Sequence, residues 1–187
     1  MYRWRTECDS LESFAKVYLG VLIQLNLVEF GHASVGEIRD YIDEHLGPVK
    51  ILFVGSNPSR LSPDDFPFDK DTKSYKFIQN NWLKNKDPAM LYITYTNLSH
   101  IKTEGNKQLR MKDIDIELVR ERVSEQIADG YAVVACGKVA SKGLTKAGVE
   151  HFEMPHPSGL CRFWNNPEDS KNKIQEMWTW IENKKNC

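Results

Sequence analysis

The sequence predicts an α/β fold, a three-layer αβα sandwich around a central four-stranded parallel sheet, with extra helices at the amino terminus. Two observations predict it. Four short apolar runs, at residues 51–54, 90–95, 131–136 and 149–154, have the length and side chains of buried strands. Segments with helical spacing of apolar residues separate these runs, and strands that alternate with helices form parallel sheets through right-handed crossovers.

Two helices are predicted ahead of the sheet. Apolar side chains recur at three- and four-residue steps over residues 9–30. Ser34 and Glu37 then form a capping box for a second helix, which should end near Gly47 and Pro48. We assign no chemistry to this part of the chain.

Four further helices are predicted over residues 72–84, 113–129, 139–147 and 167–184. Asn166 should cap the last one, with a proline at its first position and acidic residues in its first turn. The side chains expected to face inward from the first, second and fourth of these helices are Tyr75, Ile78, Trp82, Ile116, Val119, Val123, Ile127, Ile174, Met177, Trp178 and Ile181.

Length and composition favour one domain. The chain has 187 residues, of which 41% are hydrophobic, enough to close one substantial core. We expect a single domain over residues 1–187, in which residues 1–48 form a helical extension packed on the rest, and we expect a monomer.

Charge and cysteine content restrict the possible partners. The net charge of −1 gives no global attraction to nucleic acid, so a nucleic-acid partner would need a local basic patch. The four cysteines are scattered without a C-x-x-C pair, which predicts reduced thiols in a cytoplasmic protein and neither a metal nor another cofactor. No apolar stretch reaches membrane-spanning length, and the start lacks the pattern of a secretion signal, so we expect no membrane association.

A polar turn follows each predicted strand. These turns carry Asn57, Asn97, Gly137 and His156. Because the carboxyl ends of parallel strands share one edge of the sheet, where active sites of open α/β folds lie, we expect these residues to converge. Gly137 could free backbone amides for a phosphate or serve packing alone.

Five short motifs, in order between about residues 50 and 162, resemble the uracil-DNA glycosylase superfamily, with the first motif closest to its mismatch-specific and single-strand-selective branches. They are Gly55-Ser56-Asn57-Pro58, Phe66-Pro67-Phe68, Thr96-Asn97, Cys136-Gly137-Lys138-Val139-Ala140 and His156-Pro157-Ser158-Gly159-Leu160. The resemblance does not cover the first fifty residues.

The resemblance implies two catalytic side chains. Asn57 would hold the attacking water through its amide oxygen, and because an amide cannot take the proton, chemistry should be slower than with an aspartate. His156 would donate a hydrogen bond to the oxygen on which negative charge develops in the leaving base, which a neutral imidazole can do. Without the resemblance, Asn57 would be interpreted as a turn residue and His156 as a polar loop residue.

The resemblance also implies residues that bind the base and the DNA. Phe68 would stack on the extruded base, Asn97 would pair with its Watson–Crick edge, and the turn of Gly55, Ser56 and Ser59 would complete the base site. Leu160 would fill the gap left in the duplex. Contacts to the DNA backbone are expected from Ser158, Gly159, Lys138 and Arg162.

Two departures bear on the substrate and the product. Ser59 occupies the position where the strictly uracil-specific branch has a bulky tyrosine, which leaves room beside C5 of a pyrimidine. The absence of a cysteine quartet excludes the iron–sulfur branches. No lysine is clearly placed to form a Schiff base, so we expect an abasic product without strand cleavage.

The leading interpretation is a monofunctional glycosylase acting on uracil or a related base in single- or double-stranded DNA. Two alternatives stay open at this point. One is a module of the same fold that binds a nucleobase or nucleic-acid end without turnover, and the other is a hydrolase of free nucleosides or nucleotides. Only the enzymes require Asn57 for turnover, and only a polymer-specific enzyme requires Leu160.

Overall fold

The computed structural model describes residues 48–59, 67–103, 109–185. Within them, four parallel strands form one sheet, in the spatial order β2-β1-β3-β4. The strands are β1 (Val49–Gly55), β2 (Leu91–Asn97), β3 (Ala132–Cys136) and β4 (Phe152–Met154). Helices flank this sheet, so the predicted α/β fold class is confirmed.

In the described ranges, four α-helices and several short helical turns connect and follow the strands. The α-helices are α1 (Lys73–Phe77), which continues as a π-helical turn (Ile78–Trp82), α2 (Ile116–Ala128), α3 (Lys138–Lys146) and α4 (Pro167–Lys185). The 3₁₀ turns are Pro88–Met90, Met111–Asp113 and Arg162–Asn165.

Alternation of side chains along β1 divides the core into two layers. Leu52 and Val54 pack with α2 and α3 on one face of the sheet. Ile51 and Phe53 pack with α1, the π-helical turn and α4 on the other face. Successive residues of a strand point to opposite faces, so a strand that is apolar at every position is buried on both sides. All four of these side chains are fully buried.

The helix ends follow from local capping. The Asn166 side chain accepts hydrogen bonds from the backbone N–H groups of Glu168 and Asp169, which confirms the predicted start of α4. The Asp115 side chain accepts from the N–H of Leu118, so α2 begins at Ile116 rather than at residue 113. The intervening segment is a 3₁₀ turn (Met111–Asp113).

Three details differ from the sequence prediction. The helix predicted over residues 72–84 is α-helical only to Phe77 and then widens into the π-helical turn, which still buries Ile78 and Trp82. Ile127 was expected to face inward, but it is 43% exposed, because Val119 and Val123 make the fully buried contacts of α2. The fourth strand was predicted over residues 149–154, but it forms only over Phe152–Met154.

All described residues belong to one compact unit, Asp43–Cys187. The helices predicted over residues 9–30 and from Ser34 onwards lie outside the described residues, as do Phe66 and residues 104–108. Their structure, and the packing of residues 1–48 on the rest, therefore stay predictions. In the part of the chain that is described, no helix has both the length and the apolar character needed to cross a bilayer.

Candidate active site

The loops after β1 and β2 run side by side at the carboxyl edge of the sheet. Gly55 and Asn97 are partners in the β1–β2 ladder. Beyond the strands, the N–H of Leu98 donates to the carbonyl of Gly55 at 3.0 Å, and the N–H of Ser99 donates to the carbonyl of Ser56 at 3.1 Å. The start of the turn that carries Asn57 is thus fixed by the residues that follow β2.

The side-chain amide of Asn57 is held at both ends. The hydroxyl of Ser56 donates to Asn57 Oδ1 at 2.8 Å, and Asn57 Nδ2 donates to the carbonyl of Pro58 at 3.2 Å. These two partners together define which end of the amide is the oxygen. An amide oxygen has two lone pairs, so Oδ1 can accept a second hydrogen bond from a water molecule.

Gly55, Asn97 and Phe68 form a tight cluster next to this turn. A Cβ atom on Gly55 would overlap Oδ1 of Asn97 and would lie 2.9 Å from Cε2 of Phe68. Asn97 is only 7% exposed, and no described residue hydrogen-bonds its side-chain amide. Arg122 of α2 donates from Nη1 to its carbonyl at 3.1 Å and so holds its backbone. The free hydrogen-bonding groups of this amide suit the polar edge of a base.

The ring of Phe68 is held by aromatic packing. Its centroid lies 5.3 Å from that of Tyr95, and its edge contacts Gly55. Its φ of 51° is a left-handed conformation that a phenylalanine seldom adopts. Such backbone strain persists only where surrounding contacts maintain it, and it concentrates at functional sites.

On the other side of the edge, Gly137 packs against His156. The φ of Gly137 is +97°, and a Cβ there would lie 3.2 Å from Cβ and 3.4 Å from Cδ2 of His156. The Gly137 N–H donates to the carbonyl of Met154 at 2.8 Å, so it is occupied within the protein. The contact with His156 gives this glycine a packing role.

The hydrogen bonds of His156 are made by its backbone and not by its ring. Its carbonyl accepts hydrogen bonds from the indole N–H of Trp164 and the N–H of Ser158, each at 2.8 Å. None of the described residues hydrogen-bonds its ring nitrogens. The residue keeps exposed surface, but the protein around the ring displaces water that would stabilise the imidazolium, which lowers the pKa of His156. The ring is consequently neutral near pH 7.

The sheet order sets the distance across the site. β3 lies between β1, which leads to Asn57, and β4, which leads to His156. Two strand spacings amount to roughly 10 Å. Asn57 and His156 therefore follow strands that lie two spacings apart.

The turn after His156 projects an apolar side chain into solvent. Leu160 is 93% exposed, the most exposed of the large hydrophobic residues described. The carbonyl of Ser158 accepts from the N–H of Cys161 at 3.0 Å and closes the turn beneath it. Arg162 and Lys138 are exposed cations on the same edge of the sheet.

The structure thus brings the predicted residues to one edge in two groups. Asn57, Gly55, Asn97 and Phe68 are linked through β1 and β2, whereas Gly137, Lys138, His156 and Leu160 follow β3 and β4. Ser59 is half-buried in the turn after Asn57. The contacts of Arg122 and Trp164 were not predicted, because nothing in the sequence indicates which backbone carbonyl a distant side chain will reach.

His151 does not join the site. Its Nδ1 lies 2.8 Å from the carbonyl of Val149 and its Nε2 lies 3.1 Å from the hydroxyl of Ser141. With both ring nitrogens paired inside the protein, this histidine has a structural role.

The sequence profile described as the uracil DNA glycosylase superfamily matches residues 44–182. That range covers all four strands and each residue of the two groups above. The chain belongs to the uracil DNA glycosylase superfamily. Comparison with curated proteins and with solved structures gave no match.

Membership of the uracil DNA glycosylase superfamily supports glycosylase chemistry on DNA in general. The profile describes the superfamily as a whole and does not distinguish its branches. The substrate and the roles of individual residues must therefore be inferred from the two groups of residues at the edge of the sheet.

Proposed function

We propose that the protein is a monofunctional DNA glycosylase that hydrolyses the N-glycosidic bond of uracil, or of a related deaminated or C5-modified base, and leaves an abasic site. The observation that carries this proposal is the cluster of Gly55, Asn97 and Phe68. It presents an amide without a hydrogen-bonding partner among the described residues beside an aromatic ring, next to the turn of Asn57. A nucleobase has a polar edge, which an amide can bind through hydrogen bonds, and a flat face, which stacks on an aromatic ring.

In this proposal the target base first leaves the DNA stack. Glycosylases act on a nucleotide that is turned out of the duplex, because its reacting atoms are inaccessible within the stack. Phe68 stacks on the base and the amide of Asn97 pairs with its Watson–Crick edge. Leu160 occupies the space that the base leaves, which offsets part of the cost of unstacking.

The bond between the base nitrogen and C1′ of the sugar then breaks, and its electron pair leaves with the base. Negative charge develops on the base oxygen next to that nitrogen, where the neutral ring of His156 donates a hydrogen bond. A water held by Asn57 Oδ1 adds to the electron-poor C1′ and loses a proton to solvent. The base anion takes up a proton from solvent, so the products are the free base and an abasic site.

Ser59 bears on which base is accepted. Its small, half-buried side chain follows Pro58 in the turn after β1. A small residue there leaves room at C5 of the pyrimidine, which supports release of thymine or of C5-modified uracils such as the hydroxymethyl form. The hypothesis fails if the protein cleaves uracil but leaves every C5-substituted pyrimidine intact, in both single strands and duplexes.

The exposed Leu160 favours a polymer over free nucleosides, because a leucine side chain held in solvent can enter the gap that an extruded base leaves in stacked DNA. A nucleoside hydrolase would act as well on a free nucleoside as on the same base in DNA. A module that only binds would show affinity without product.

The test is a panel of oligonucleotides, each with one altered base, treated with protein and then with alkali. Alkali breaks the strand only where a base has been removed. We expect cleavage at uracil or a related base, and none without alkali. Absence of cleavage across the panel, in single strands and in duplexes with each opposite base, would refute the proposed function.

A further inference from the structure

Trp164 connects the His156 turn to the hydrophobic core. Its indole N–H donates to the carbonyl of His156 at 2.8 Å. The residue lies in the 3₁₀ turn Arg162–Asn165, where its own N–H donates to the carbonyl of Cys161 at 3.1 Å. The contact to His156 therefore comes from a segment that is itself held in place.

The indole ring of Trp164 is fixed by other rings. Its centroid lies 5.7 Å from that of Trp82 and 5.1 Å from that of Phe77. Trp82 is fully buried. Close-packed interiors transmit position from one side chain to the next, so the carbonyl of His156 is tied to the core rather than to another surface turn.

These contacts form part of a continuous aromatic array, Phe68, Tyr95, Phe53, Trp82 and Trp164. Successive ring centroids along it are separated by 5.3, 5.7, 5.7 and 5.7 Å. One end of the array is the ring that would stack on the base, and the other end bonds the residue that would stabilise the leaving base. The array thus connects the residues on the two sides of the site.

We propose that Trp164 is a positioning residue that sets where the His156 ring stands relative to the base; this inference rests on the proposed function. The His156 ring has no hydrogen-bonding partner among the described residues, so contacts to its backbone and to Gly137 determine its place. Stabilisation of a developing charge requires a donor fixed in advance at the correct distance.

The direct test is Trp164→Phe, which keeps an aromatic ring and removes the N–H. Trp178→Phe is a matched control, because it removes an indole N–H that donates to a main-chain carbonyl at nearly the same distance in the same aromatic layer. We expect Trp164→Phe to lower kcat about tenfold to a hundredfold, since a small misplacement of a reacting group has an effect of this size. KM should change less than about threefold, because base contacts are retained. Trp178→Phe should lower the melting temperature and leave kcat within about twofold.

A second readout is independent of activity. In carbon-edited NMR spectra, the ring resonance of His156 should shift or broaden in Trp164→Phe and stay in place in Trp178→Phe. If Trp164→Phe does not fold, replacement of Trp164 by benzothienylalanine keeps the bicyclic shape and lacks only the N–H.

The outcomes distinguish failure of the positioning role of Trp164 from failure of the proposed glycosylase function. A selective loss of kcat together with a changed His156 resonance supports the positioning role. Equal kcat values and an unchanged His156 resonance in the two phenylalanine variants would overturn it. If the wild-type protein releases no base, the proposed function fails, and an unchanged resonance in the Trp164 variant would separately overturn the positioning of His156.

Discussion

The α-carbon of Gly55 lies directly against the side-chain oxygen of Asn97, its partner across the β1–β2 ladder. A side chain of even one carbon would overlap that oxygen and also press on the ring of Phe68, at 2.9 Å from Cε2. The two side chains that would bind the base can therefore approach each other only because the last residue of β1 has no Cβ. In the proposed function, the base site therefore lies at the end of the first strand.

Gly55→Ala should therefore damage both the site and the fold. Overpacking of a buried position costs about 1–3 kcal/mol of unfolding free energy. Displacement of Phe68 forfeits stacking on the base, worth about 1–3 kcal/mol, so kcat/KM should fall by about fivefold or more. Urea unfolding and single-turnover kinetics on a uracil oligonucleotide would measure the two effects.

Gly130→Ala is the control for that variant. Gly130 has a φ of +79° in the turn after α2, with no atom within 4 Å of a built Cβ. An alanine there should cost about 1–2 kcal/mol through backbone strain alone and leave kcat/KM unchanged. Equal activity losses in the two variants would show that the Gly55 effect reflects stability and not the site.

The pH dependence should reveal the lowered pKa of His156. The folded protein disfavours the imidazolium, whereas the unfolded chain takes up the proton near the usual pKa of about 6.5. The unfolded state then binds more protons below that pH, so stability is full above about pH 6.5 and falls as the pH decreases toward the folded pKa. His156→Gln should lose this component of the stability profile. An NMR titration should give a midpoint below 6.5, and a midpoint at or above 6.5 would contradict the account.

Leu160→Ala should separate DNA engagement from folding. Because Leu160 is 93% exposed, its truncation should change the unfolding free energy by less than about 0.5 kcal/mol. Loss of a wedge that offsets a few kcal/mol of unstacking should lower activity on duplex DNA by about tenfold or more. Ile127→Ala is the matched control, an exposed aliphatic residue in the last turn of α2, and it should leave activity unchanged. Equal activity of both variants on duplex substrate would argue against the wedge.

Ser59→Tyr should narrow the range of bases. A tyrosine at this position would fill the space that the small side chain leaves beside C5, so uracil should still be released while C5-substituted pyrimidines are rejected. A methyl-sized difference in a pocket is worth roughly 1–3 kcal/mol, or about tenfold to two-hundredfold in relative kcat/KM. Competition between uracil and hydroxymethyluracil oligonucleotides would measure it. Unchanged discrimination would show that Ser59 does not face C5.

Much of the fold could be predicted because its two central strands, β1 and β3, carry continuous buried apolar runs. Runs such as residues 51–54 are buried on both faces, and the polar turns that follow mark the edge where the strands end. The same patterns identified the cap at Asn166 and the inward residues of α4. Strand ends also indicated the site, since parallel strands must bring their carboxyl ends together.

The remaining features depend on tertiary packing that a local pattern does not contain. The π-helical turn after Phe77 and the exposure of Ile127 have no signature in hydrophobic spacing. Arg122 and Trp164 reach backbone carbonyls of Asn97 and His156, and a carbonyl is present at every residue, so the partner cannot be read from sequence. These side chains support the site without resembling any motif.

The measurement that tests the central claim most directly is single-turnover release of uracil from an oligonucleotide by the Asn57→Ala variant, beside its affinity for the same oligonucleotide. Loss of the oxygen that holds the water should slow release on the order of a hundredfold or more, with affinity kept within about threefold. Asn81→Ala, which removes an exposed amide that bonds only the Phe77 carbonyl among described residues, should behave like wild type. Release by Asn57→Ala at the wild-type rate would contradict the account.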